Sequence, residues 1–102
     1  MIMSDKFYFK VHKHPTETVV AICDEEILGE TFKGDGMTFN VTEPFYKGVL
    51  ADEQFILDNI GQFTILNIVG NRIVELALRE GFISGARILT IGEVKHAQAV
   101  RM

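Results

Sequence analysis

Phe63-Thr64-Ile65-Leu66-Asn67-Ile68-Val69-Gly70-Asn71 is the stretch on which the fold turns. Only Thr64 and Asn67 interrupt an otherwise apolar run from 63 to 69. A run this short and this apolar predicts a strand buried on both faces, with a helix continuing past Gly61 as the alternative. Gly70 breaks the run, and Asn71 is a good cap for a helix over 72–80. Ile73, Val74, Ala77 and Leu78 share one face of that helix. Glu75 precedes Arg79 by four, the favourable order for an ion pair, and Gly81 is its stop. A buried strand feeding an amphipathic helix is the signature of a domain that layers helices on a sheet.

The same reading extends towards the N-terminus. Segment 6–12 alternates as a strand, with Phe7, Phe9 and Val11 on one face and Lys6, Tyr8, Lys10 and His12 on the other. Pro15 marks a turn. Segment 18–23 is apolar on both sides and reads as a central strand. Asp24-Glu25-Glu26 ends it, and 27–32 is either a strand or a single helical turn. Gly34-Asp35-Gly36 supplies the positive φ angles of a tight hairpin, followed by a strand over 37–41. The residues from Pro44 to Gly48 form a loop, and Asp52 caps a short helix over 53–60 that Gly61 stops. Towards the C-terminus, strands over 87–91 and 94–100 flank a turn at Gly92-Glu93. The sum is an α/β (α+β) fold, one domain over 1–102, with a mixed sheet of about six strands and two short helices.

Composition narrows the classes of function. With 102 residues, 47% of them hydrophobic, the chain builds a core without covalent staples. Eight Phe and no Trp make phenylalanine a main source of core volume. A single cysteine, Cys23, excludes an internal disulfide and a multi-cysteine zinc site. No stretch is long enough to span a bilayer, and Met1-Ile2-Met3-Ser4-Asp5-Lys6 lacks the pattern of a signal peptide, so a cytoplasmic location is expected. The formal net charge of −4 disfavours broad, nonspecific nucleic-acid binding but leaves room for a local basic face.

Several local patterns carry chemistry. Gly29 and Gly34 have the spacing of a phosphate loop, but Asp35 stands where a lysine is required, which rules it out. Gly70, at the start of a helix, offers amides to an anion or is simply a turn before a cap. Cys23 is either a packed thiol or, with Asp24, Glu25 and Glu26, part of a polar cluster. Consecutive acids on an extended chain alternate sides, so they cannot converge unaided. His96 and Gln98 share one face of the last strand and can aim an imidazole and an amide at one ligand. The plain reading of His96 is a hydrogen-bonded sheet histidine. Lys6, Tyr8, Lys10 and His12 form a basic face with a ring in it. That is a crude nucleic-acid platform or the wet side of an amphipathic strand. No nucleophile and base are paired locally, and neither a metal nor a cofactor is expected.

Four stretches occur together: Cys23-Asp24-Glu25-Glu26-Ile27-Leu28-Gly29, Asn67-Ile68-Val69-Gly70, Val74-Glu75-Leu76-Ala77 and Gly92-Glu93-Val94-Lys95-His96-Ala97-Gln98. In this order and spacing the chain resembles the archaeal family known as domain of unknown function 424, from Phe7 to its end. The resemblance implies an archaeal source and a small cytoplasmic protein with a link to translation; it supplies no activity. Glu93 stands where the family pattern calls for a second glycine, which argues against a tight backbone approach at that turn.

Two readings of function follow. One is a non-catalytic interaction module for RNA or a ribosome-associated protein, using Lys6, Tyr8, Lys10 and His12. The other is a small-ligand or metal site, or an enzyme, around Asp24, Glu25, Asn67, Gly70, His96 and Gln98. The second requires the end of the chain to fold back beside the end of the second strand, so that His96 meets both Asp24 and Asn67.

Overall fold

The computed structural model describes residues 4–101. The decisive stretch forms a strand, β6 (Ile65–Val69), in the middle of a six-stranded sheet. The helical alternative fails because the chain tightens into a turn at Ile60–Gln62 and then enters the sheet. There the Thr64 amide donates to the Thr18 carbonyl at 2.9 Å. The other main-sheet strands are β1 (Phe7–Lys13), β2 (Thr18–Asp24), β5 (Val49–Ala51), β7 (Ile88–Ile91) and β8 (Val94–Val100). Two more, β3 (Thr31–Gly34) and β4 (Met37–Asn40), pair only with each other.

The main sheet runs β5-β1-β2-β6-β8-β7. Its one parallel pair is β2 with β6; every other pair is antiparallel. The sheet is therefore mixed, as the alternation of strands and helices implies. One face packs on α2 (Glu53–Asn59) and α3 (Asn71–Arg79), burying Phe7, Phe9, Val20, Ile22, Leu66 and Ile68 against Ile56, Ile73 and Val74. The other face carries the β3–β4 hairpin and a one-turn helix, α1 (Glu43–Tyr46). It buries Ala21, Cys23, Val69 and Val94 against Val41 and Tyr46. Burial on both sides is why β2 and β6 read as continuous apolar runs.

Three details differ from the sequence expectation. The segment 27–32 resolves into a turn at Glu25–Ile27 followed by β3, and the strand expected over 37–41 belongs to the small sheet. The loop expected between Pro44 and Gly48 contains α1, and the sixth main-sheet strand is β5 just after it. Three residues give no periodicity to read; Gly48 makes the pairing possible, since a Cβ there would lie 2.1 Å from the Phe9 carbonyl oxygen. The tight approach that Glu93 argued against does occur, carried by other glycines. A Cβ on Gly92 (φ +63°) would lie 2.7 Å from the Lys33 carbonyl oxygen, and one on Gly34 2.4 Å from the Gly92 nitrogen. The hairpin tip and the β7–β8 turn thus touch backbone to backbone.

Candidate functional site

Asp24, the last residue of β2, and Glu26 in the turn after it meet the start of α3. Asp24 is 2% exposed, and its carboxylate accepts from the Arg72 amide at 3.0 Å and the Ile73 amide at 2.9 Å. Those are orphan donors of the first helical turn. The residue at the cap position of α3 is Gly70, which has no side chain to offer them and a φ of +124°. A Cβ on Gly70 would lie 2.4 Å from Asp24 Cγ. Asp24 therefore caps α3 from a neighbouring strand, through the space that glycine leaves. Burial pushes its carboxyl up to about 6, against the downward pull of the two amides and of Arg72.

Arg72 fastens the same corner. Its guanidinium grips both carboxylate oxygens of Glu26, donates to the Lys6 carbonyl at 2.8 Å and lies 4.6 Å over the Phe7 ring. Glu25 accepts from the Ser4 hydroxyl. Asn71 does not cap its own helix; its side chain donates to the Glu93 carbonyl and accepts from the Lys95 amide, tying α3 to the β7–β8 turn. Asp24, Glu25 and Gly70, three of the six expected ligand-site residues, are thus engaged in holding strand ends and a helix start.

The other three lie together on the opposite face of the sheet. Cys23, Val69 and His96 are consecutive partners across β2, β6 and β8, so they share a face and Asp24 points away from it. There Asn67 Oδ1 accepts from the Tyr46 hydroxyl and from His96 Nε2, the latter at 3.2 Å. An acceptor opposite Nε2 fixes the hydrogen on that nitrogen and leaves Nδ1 as a bare acceptor. Burial lowers the His96 pKa, which favours this neutral form, and the Phe39 ring packs 4.6 Å from the imidazole. Among the described residues no hydrogen bond reaches Nδ1. His96 lines an open cavity of about 470 Å³ together with Ala86, Arg87, Leu89 and Gln98.

Strand register gives this face its order. Lys10, Ala21, Asn67 and Gln98 form one row across β1, β2, β6 and β8. Arg87, one residue before the Ile88 partner of Ala97, sits level with Gln98 at the far end. The next row outward is His12, Val19, Ile65 and Val100. Leu89 is 53% and Val100 62% exposed, and Gln98 is exposed between them. Asp24 is the only acid in the six main-sheet strands, and it belongs to the other face.

The expected basic face of β1 is only partly open. Tyr8 packs half-buried against the hairpin-side core. Lys10 Nζ donates to the Pro44 carbonyl at 2.7 Å; His12 bonds the Phe45 carbonyl at 2.8 Å and stacks on its ring at 4.9 Å. Lys6 lies 3.8 Å from Asp5. Helix α1 covers the middle of that strand, so Lys6, Tyr8, Lys10 and His12 do not form one free platform. Cys23 is fully buried, and burial, with Asp24 nearby, raises its thiol to about 12, far from a reactive thiolate. Among the described residues no group of three or more potential metal ligands converges, and no helix is long and apolar enough to cross a membrane.

Arg87, Tyr46 and Phe39 were not among the residues singled out from the sequence. Strand register places Arg87 level with Gln98, while α1 and the β3–β4 hairpin, packed over this face, bring Tyr46 and Phe39.

Fold and site together define a small α/β domain with a mixed sheet, one face of which is left partly uncovered. The chain belongs to the family described as a protein of unknown function (DUF424), whose model matches residues 12–102. It is similar in structure to an uncharacterized conserved protein from Methanopyrus kandleri, with a TM-score of 0.76 and 23% identity over 95% of this chain and 94% of that one. At that identity the likeness shows the fold alone; the expected archaeal source fits it. No curated protein matches the chain.

Proposed function

We propose that the protein is a non-catalytic binding module that takes a segment of single-stranded RNA, with the translation machinery as its expected setting, on the uncovered part of its sheet. One observation carries the reading. A row that starts at Lys10, tied to the Pro44 carbonyl, and ends at the exposed Arg87 holds the amides of Asn67 and Gln98 between them, on a face whose strands contain no carboxylate. Four strand spacings make that row about 19 Å long. Arg87 at its open end meets a phosphate, and exposed Leu89 and Val100 with the Gln98 amide meet bases. An unpaired strand offers such bases; a duplex hides them from a flat sheet. The acids behind the −4 net charge sit in turns, helices and at Asp24, so the charge does not oppose a local anion site.

Fluorescence anisotropy with a labelled eight-nucleotide RNA of mixed sequence tests this. Binding is expected at low salt and falls as salt rises. Arg87→Glu weakens it about tenfold or more and flattens the salt slope by about one or more. Equal binding by wild type and variant, or no binding by wild type at low salt, overturns the reading.

A further inference from the structure

We infer that β5 is a self-association edge, along which two copies of this chain join their main sheets strand to strand. The inference does not depend on the RNA reading above and concerns the border of the sheet opposite β7. β5 pairs with β1 on one side and with no strand on the other. An antiparallel edge strand turns the N–H and C=O of alternate residues away from its sheet, where another strand can meet them. The side chains at this edge are apolar and open on both faces. Val49 and Leu50 are each 52% exposed, and Phe55, in the first turn of α2, is 39% exposed. Val49 lies level with Phe9, and the Phe55 ring meets Phe9 edge to face at 5.4 Å, so both flank one ring on the helical side. Leu50, level with Tyr8, faces the other way. Edge strands are commonly guarded by a charge on the strand itself, and Val49-Leu50-Ala51 has none.

The charges lie just beyond its ends, and their order names the occupant. Lys47 precedes the strand, Asp52 and Glu53 follow it, and all three are exposed. Lys47 makes no ion pair among the described residues, while Glu53 also holds Arg79. A second copy running antiparallel and centred on Leu50 sets each Leu50 opposite the other and Val49 opposite the second copy's Ala51. Lys47 then stands level with the second copy's Glu53, at both ends of the contact. The stretch is thus its own complement: basic before, apolar within, acidic after. Parallel pairing in register would instead set Lys47 beside Lys47 and Glu53 beside Glu53, like against like. The antiparallel contact is isologous, so it closes at two copies. One short strand and three apolar side chains make a contact smaller than a standard interface. The dimer is therefore weak, with a dissociation constant of about 100 µM or above.

Sedimentation equilibrium of the full chain from about 10 µM to about 1 mM tests this. The average mass should rise towards that of two chains across the range and go no higher. Leu50→Lys, at an exposed position, should keep the protein monomeric throughout with its thermal melt retained. Lys47→Glu and Glu53→Lys should each weaken association about fivefold. An equimolar mixture of those two variants should restore it, because both ion pairs re-form only between unlike copies. Wild type that stays monomeric at about 1 mM overturns the inference. So does a mass beyond two chains, a dimer that survives Leu50→Lys, or a mixture that associates no more tightly than either variant alone.

Discussion

The Asp24 carboxylate occupies the space a side chain on Gly70 would fill: a Cβ there would lie 2.4 Å from Asp24 Cγ, and the carboxylate spans the Arg72 and Ile73 amides in the first turn of α3. An acid on one strand and a glycine after another thus make a single helix cap. Both lie in the stretches that define the resemblance to the family, and this shared task is a structural reason for them to occur together.

Asp24→Ala should therefore lower stability by about 1–3 kcal/mol, since two buried amides lose their acceptor. Gly70→Ala should cost at least as much, through the clash and the positive φ. The two costs should not add. In the Asp24→Ala background the space at Gly70 is free, so Gly70→Ala should cost clearly less there. Urea unfolding of the double-mutant cycle measures this coupling, and strict additivity would contradict the shared cap.

Burial raises the Asp24 carboxyl to about 6, above its value in the unfolded chain. Folding then takes up a proton in the interval between the two values. The stabilisation is full at the acid end and declines as pH rises through about 6. Wild type should gain about 1 kcal/mol relative to Asp24→Asn between pH 7 and pH 5. Denaturant midpoints of both proteins across that range provide the check. A difference that shrinks on acidification would mean that the amides and Arg72 outweigh burial.

His96 is 8% exposed, hydrogen-bonded to Asn67 and packed on Phe39. His96→Ala should lower stability by about 1–3 kcal/mol, and Tyr46→Phe, which removes the other donor to Asn67, by about 1 kcal/mol. Thermal melts in the absence of RNA read this directly. A His96→Ala protein melting with the wild type would mean that the imidazole serves a ligand alone.

The fold was legible where periodicity was strong. The run ending at Val69, the amphipathic helix behind it and the alternating β1 follow from side-chain pattern, and the structure has all three. Segment Val49–Ala51 was not legible, because a three-residue edge strand is specified by Gly48 pressing against Phe9 rather than by its own residues. The site was half legible. The structure brings Asn67, His96 and Gln98 onto one face of the sheet, while Asp24, expected beside them, faces the other way. A sequence shows that neighbours alternate, but not which residues of distant strands lie in register. Arg87 was missed for the same reason: it reaches the site only because Ile88 pairs with Ala97.

The most direct test of the central claim is a backbone and side-chain amide map of the protein titrated with short single-stranded RNA at low salt. The account expects the largest shifts at Val19, Ile65, Arg87, Leu89, Gln98 and Val100, and little change at Gln54, Asp58, Glu75 and Arg79 on the helical side. Shifts confined to the helical side, or none at saturating RNA, would contradict it.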